Sequence, residues 1–301
     1  MNDAGAWNDF WAANTGASAG AGRGGCLPQR WAIIEDAQRA AWDGFIGGLP
    51  EGTAVLDLAT GDGRVLGWIH ACRPDLELTG IDRAPHLPAP PAGTVTRGGI
   101  AMEDLPFDAD TFGAVVSQFG FEYGDVARVC AEISRVLAPD GQVALMIHRG
   151  DGPILEHNLA RRAAIEWVLT DQKLAQLLGT VLDAPNGGPQ VAAQVAAAIG
   201  LLGAQRFGDS SPGWEIPEAL RRAVLMGEQA GTTAIRDAIA AIENHAINEV
   251  GRIASLERAC ARADQRGAIM DAFAAAGLKQ CAETPVCEPS GRAIASFLVF
   301  N

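Results

Sequence analysis

The segment from Thr53 to His148 constrains the fold most, because short apolar runs alternate along it with runs of helical spacing. Ala54-Val55-Leu56-Asp57-Leu58-Ala59 predicts a buried strand, Thr60-Gly61-Asp62-Gly63 a turn, and Arg64 to Cys72 a helix stopped before Pro74. Glu77 to Asp82, Thr94 to Arg97 and Phe112 to Ser117 predict three more strands. Val126 to Leu137 predicts a helix ended by Pro139-Asp140-Gly141, and Gln142 to His148 a fifth strand. Strands alternating with helices need a mostly parallel sheet with helices on both faces. The expected fold is therefore α/β and doubly wound.

After His148 the alternation stops. Residues 151 to about 265 are rich in Ala, Leu, Arg and Glu, contain no convincing strand, and break at Pro185-Asn186-Gly187-Gly188 and Asp209-Ser210-Ser211-Pro212-Gly213. Four or five helices fit, one of them long, from about Thr232 to Ala263. Strand character returns in Leu278 to Cys287 and Ala293 to Phe300, after a helix from Ala268 to Ala276. These bring the expected sheet to seven strands. The implied organisation is an α/β domain over 1–150 with an N-terminal helical extension, a helical insertion over 151–265, and a helix and two strands over 266–301 that complete the sheet. The insertion suits either of two uses: capping a substrate pocket or pairing two chains as a homodimer.

Bulk properties narrow the function. The chain is 48% hydrophobic and 20% charged, so it can bury a core, and its formal charge of −13 argues against a nucleic-acid partner. The acid balance also argues against an anionic membrane surface, and no run reaches the length of a membrane span. The start of the chain lacks a secretion signal, so a cytoplasmic location is expected. Cys26, Cys72, Cys130, Cys260, Cys281 and Cys287 form no CxxC pair and no metal-ligand spacing, which reads as scattered reduced thiols and no metal site.

The first turn carries the chemistry. In an open parallel sheet ligands bind beyond the carboxyl ends of the strands. Gly61 and Gly63 allow a ligand close to the backbone, and Asp82, which ends the second strand, can accept both hydroxyls of a ribose. The third glycine of a dinucleotide turn is missing, since Leu66 stands there, and no Gly-Lys-Ser/Thr follows. Asp57, just before the turn, suits a cation better than a pyrophosphate.

Taken in order, five motifs resemble those of class I S-adenosylmethionine-dependent methyltransferases, in the branch that methylates quinones and other metabolites. They are Val55 to Arg64, Gly80-Ile81-Asp82, Met102 to Phe107, Asp110 to Gly120, and Glu132 to Gln142. Together they cover roughly residues 50 to 148. The resemblance implies S-adenosylmethionine as cofactor, with Asp57, Ala59, Gly61 and Gly63 under its methionine part. It implies Asp82 at the ribose with Arg83 beside it, Met102 and Glu103 along the adenine, and Ser117 and Gln118 beside the methionine part. It also implies Arg30 meeting the cofactor carboxylate. Ala101 stands where many relatives carry an acid that reaches the adenine.

The implied reaction is in-line methyl transfer to a small-molecule acceptor through O, N or C. The leaving group is neutral, so a base is needed only when the nucleophile starts protonated. His148, at the end of the fifth strand, is the candidate base, against a purely structural histidine. Glu122 and Tyr123 are candidates to face the substrate, against packing at the start of the next helix. Trp7, Phe10 and Trp11 suit either a lid over the site or a helix docked on the core. His157 and His245 read as ordinary residues of the helical block, and Asp108 and Asp110 as a solvated turn. Three other readings stay open: a methyltransferase acting on a peptide or natural-product precursor, a nicotinamide-dependent oxidoreductase, and a non-catalytic protein that binds S-adenosylmethionine.

Overall fold

The computed structural model describes residues 3–14 and 32–301. Arg30 and the Gly/Ala/Ser stretch from Gly16 to Gly25 lie outside them. An N-terminal helix α1 (Asp3–Asn14) is followed by α2 (Ala32–Ile46). The α/β alternation then runs β1 (Ala54–Leu58), α3 (Arg64–Cys72), β2 (Glu77–Ile81), β3 (Val95–Arg97), β4 (Phe112–Gln118), α4 (Val126–Val136) and β5 (Leu137–Ile147).

The strands form one seven-stranded sheet in the order β3-β2-β1-β4-β5-β7-β6, where β6 is Gln280–Cys287 and β7 is Ala293–Phe300. β1 to β5 pair in parallel, and β7 runs antiparallel to both β5 and β6. The order reverses between β1 and β4, and the crevice at such a reversal is where an open α/β sheet takes its ligand. β1 shows why the strands form: it is apolar and buried apart from one acid, Asp57, as a strand covered on both faces must be.

One boundary differs from the pattern. Leu137 pairs with Phe112, so the fifth strand begins five residues earlier than expected and takes in Pro139-Asp140-Gly141. The register shifts between Phe112 and Ala114, and Asp140 takes a positive φ of 63° to make the irregularity. A proline is tolerated there because no regular ladder bond is asked of it.

The core between sheet and helices centres on Leu56, Leu58, Phe121, Ile133, Leu145 and Leu298. α10 (Arg266–Ala275) adds Phe273, stacked 5.6 Å from Phe121 and 3.8 Å from Phe300. These rings tie the C-terminal strands to the carboxyl edge of the sheet.

The chain divides into two compact units, residues 1–155 with 255–301, and 156–254. The second is helical: most of α5 (Pro153–Glu166), a π-helical turn Trp167–Asp171, α6 (Leu174–Asp183), α7 (Pro189–Phe207), α8 (Pro212–Gly227) and α9 (Thr232–Ala263) up to Ala254. Its core holds Trp167, Leu178, Ala196, Leu220, Val224 and Ile239. α7 and α8 approach so closely that a Cβ on Gly203 would lie 1.8 Å from the Gly213 carbonyl oxygen. Only glycine permits that crossing. No described helix is long and apolar enough to cross a membrane.

Candidate functional site

The turn after β1 is built around two buried carboxylates. Asp57 accepts a hydrogen bond from the Thr60 hydroxyl at 2.7 Å. Burial pushes its carboxyl up to about 7; the Thr60 bond pulls the other way, and the neighbouring charges of Asp82 and Asp62 push it further up. Asp82 is also held above the usual carboxylate range by burial. One of its oxygens accepts the Gly61 N–H at 3.0 Å and the other the Ala84 N–H at 2.9 Å. Ala59, Gly61 and Gly63 take positive φ angles of 56°, 55° and 72°, which fold the turn back over the strand ends. Thr60 packs where any side chain on Gly80 would collide, 2.5 Å from an added Cβ.

The second turn, after β4, touches the first. A Cβ on Gly120 would lie 2.5 Å from that of Ala59. The Ser117 hydroxyl donates to the Leu58 carbonyl at 2.9 Å and accepts the Phe121 N–H at 3.1 Å, so it clamps the two turns together. It is engaged within the fold, at the end of β4 where the resemblance places it beside the methionine part.

This second turn carries a buried acid–imidazole pair. Phe121–Tyr123 forms a single 3-10 turn, and within it Glu122 is fully buried. One Glu122 oxygen accepts the His148 backbone N–H at 2.9 Å and lies 2.6 Å from His148 Nδ1. A carboxylate only accepts, so Nδ1 is the donor wherever Glu122 is ionised, which leaves Nε2 as the nitrogen turned away from the acid. The other Glu122 oxygen is buried with no hydrogen-bond partner. Phe119 lies against the imidazole with ring centres 4.2 Å apart, and Tyr123 stands 6.0 Å from it. Arg262 Nη1 donates to the carbonyls of Glu122 and Tyr123 at 2.9 and 3.1 Å, which holds the 3-10 turn in place.

The remaining candidates are dispersed around this centre. Gln118 ends β4 and accepts the Trp42 indole N–H at 2.6 Å. Arg83 is exposed beside Asp82, and Met102 is partly buried against the main core. Glu103 uses one oxygen to accept the Asp125 N–H at 3.0 Å, tying its loop to the start of α4. Arg30 lies outside the described residues. Of the N-terminal aromatics, Trp11 is buried and lies over Gly61, where an added Cβ would come 2.5 Å from its ring, and Trp7 meets Tyr123 edge-on at 5.9 Å. Thr60, Trp42, Gln38 and Arg262 are absent from a reading of the sequence alone. Nothing local marks them; their partners lie on other elements, except for Thr60, whose threonine three residues after an acid is an ordinary turn signal.

Residues 56–145 match the family described as "Methyltransferase domain". The α/β unit thus carries a methyltransferase domain over these residues. The demethylmenaquinone methyltransferase of Thermus thermophilus is 32% identical over 100 residues, 31% of this chain and 46% of that protein. The Thermotoga maritima enzyme of the same description is 34% identical over 96 residues, 31% of this chain and 42% of that one. Each match thus spans less than half of the curated relative. A solved S-adenosylmethionine-dependent methyltransferase from Mesorhizobium loti aligns at 24% identity over 39% of this chain and 55% of its own, with a TM-score of 0.30.

The turn's chemistry fits S-adenosylmethionine. Among the described residues no cation is paired with the buried Asp57, which leaves that acid able to meet an ammonium group, and the positive φ angles at Gly61 and Gly63 admit a ligand against the backbone. The pH consequence has a definite sign. Asp57 is protonated up to about pH 7 in the folded protein but ionises near 3.8 when unfolded, so its contribution to stability is complete below about pH 4 and lost as pH rises through 7. Asp57→Asn is therefore expected to stabilise the ligand-free protein by about 2 kcal/mol at pH 8, with the gain vanishing toward pH 4. Thermal melts across that range check it. An ammonium needs the ionised acid, so cofactor affinity of the unsubstituted protein should fall about tenfold for each pH unit below 7. Affinity that is flat from pH 5 to 8 would remove Asp57 from the ammonium site.

Proposed function

We propose that this protein transfers a methyl group from S-adenosylmethionine to a small molecule whose nucleophile starts protonated, such as a phenol or hydroquinone. The observation that carries this reading is the buried Glu122–His148 pair, formed where the turn after β4, which touches the Ala59–Gly63 turn, meets the end of β5. A carboxylate acceptor would need no base, and positioning alone would serve it. A histidine whose proton is fixed on Nδ1 by a buried acid has one further use, to accept a proton at Nε2.

Asp57 holds the ammonium group and Asp82 the ribose hydroxyls, while Gly61 and Gly63 let both ends lie against the backbone. Met102 and Glu103 border the adenine. Bound there, S-adenosylmethionine supplies a methyl group on a cationic sulfur that departs as a neutral thioether. His148 Nε2 would accept the proton that the acceptor gives up when it is methylated. His148 then releases the proton to solvent, and Glu122 steadies the imidazolium in between. Tyr123 and Phe119 wall the imidazole. The two curated relatives support a quinone-like acceptor, since both carry the description of a demethylmenaquinone methyltransferase.

The test is release of S-adenosylhomocysteine against parallel panels of phenols and hydroquinones, amines, carboxylates and short peptides. Turnover confined to the first panel is expected. Turnover confined to carboxylates would discard the proton-transfer reading, and turnover on peptides alone would discard the small-molecule one.

A further inference from the structure

The core-facing stripe of α2 reads Ile34, Gln38, Trp42 and Ile46, four residues apart, and all four are buried. Gln38 is the polar intruder, with no exposed surface. A side-chain amide placed there is costly unless its hydrogen bonds are made.

Half of them are. The indole N–H of Trp42 can only donate, so Gln118 must turn its Oε1 to it, at 2.6 Å. That leaves the Gln118 Nε2 facing Gln38 Oε1 at 3.3 Å. The Gln38 amide is thereby oriented as well, and its Nε2 is a buried donor with no acceptor. Three side chains from two elements thus end in a buried amide with unpaired N–H groups, a polarity set by the indole.

The place matters. β1 and β4 pair Asp57 with Val116, so Gln118 stands level with Ala59, at the start of the cofactor turn. Four of the turn's own donors are taken: the N–H groups of Thr60, Gly61, Gly63 and Arg64 donate to the Ile81 carbonyl, Asp82, the Thr60 carbonyl and Asp62. The Arg64 guanidinium is paired with Asp62 at 3.3 Å. A negative oxygen arriving beside two buried acids needs further donors, and the Gln38 amide holds an unpaired one.

We propose that Gln38 is a ligand-binding residue, whose amide, oriented by Trp42 through Gln118, donates to a negatively charged or carbonyl oxygen at the β1–β4 edge. The cofactor carboxylate is the favoured source and the oxygen of the methyl acceptor the other. This rests on the cofactor reading above, and the experiment separates the two. Calorimetry with S-adenosylhomocysteine and with 5′-methylthioadenosine, which lacks the amino-acid part, is run on the unsubstituted protein, Gln38→Met, Trp42→Phe and the double variant. Gln38→Met is expected to weaken S-adenosylhomocysteine about tenfold or more, to leave 5′-methylthioadenosine unchanged, and to raise the ligand-free Tm, because an orphaned donor has gone. Trp42→Phe should weaken S-adenosylhomocysteine in the same direction and add nothing in the Gln38→Met background. If binding is unchanged but the acceptor KM rises at least about tenfold in Gln38→Met, the donated oxygen is the acceptor's. Unchanged binding and unchanged KM would overturn the role of Gln38, as would equal weakening of both probes with a lowered Tm. If the unsubstituted protein binds neither probe, the cofactor reading fails and takes this inference with it.

Discussion

His148→Ala is expected to lower turnover on a phenolic or hydroquinone acceptor by about 10²- to 10⁴-fold while leaving cofactor affinity within about twofold, the range a positioned general base supplies. The split follows from position. The imidazole contacts Glu122, Phe119 and Tyr123, so its loss should remove the proton acceptor and leave the Ala59–Gly63 turn in place. Added imidazole should restore part of the rate, since it can occupy the cavity left against Phe119. Glu122→Gln acts through His148 and is a positioning change. A glutamine oxygen still accepts the Nδ1 proton, so the tautomer survives, but the imidazolium loses its counter-charge. The expected result is a fall of about 10- to 100-fold in kcat with a displaced pH–rate profile and an unchanged KM. Turnover by His148→Ala equal to the parent's from about pH 6 to 9 would end the general-base role.

Asp82→Ala should weaken S-adenosylmethionine by at least about 10²-fold, because two hydrogen bonds to a charged group are lost at about 1.5–3 kcal/mol each. Backbone N–H groups already occupy part of this carboxylate, those of Gly61 and Ala84 most directly. A carboxylate has about four acceptor positions, so capacity remains for ribose hydroxyls. The same substitution also frees Gly61, whose N–H the acid holds, and so loosens the turn beneath the methionine part. Asp82→Asn separates these effects: its amide can satisfy one backbone donor and must oppose the other with its own N–H groups. Calorimetry on both variants should rank the parent well above Asn, and Asn at or above Ala. An affinity for Asp82→Ala within about threefold of the parent would place the ribose elsewhere.

Stretches governed by neighbours a few residues apart were legible before any coordinates. The strand–turn–helix from Val55 to Arg64 shows in the apolar run, the paired glycines and the helix spacing that follows. The helix from Thr232 to Ala263 shows because nothing inside it breaks the periodicity. The antiparallel return of the last two strands was not visible, since a strand's own sequence does not state the direction of its neighbour. Nor was the early start of the fifth strand, where pairing of Leu137 with Phe112 overrides the turn signal of Pro139-Asp140-Gly141.

The turn Val55 to Arg64 marks the division most clearly. By itself the sequence pointed to a ligand there that carries a cation, through Gly61, Gly63 and Asp57, because backbone freedom and charge are properties of single residues. Glu122 and His148 were each conspicuous alone, but only the register that sets Ser117 against the Leu58 carbonyl and closes the two turns made them one unit. Gln38 was invisible as anything but a flaw in an apolar stripe. It acquires a polarity only when the sheet brings Gln118, 80 residues away in sequence, between it and Trp42. Hydrogen-bond direction is a property of the assembled chain of donors and acceptors, and tertiary structure alone assembles it.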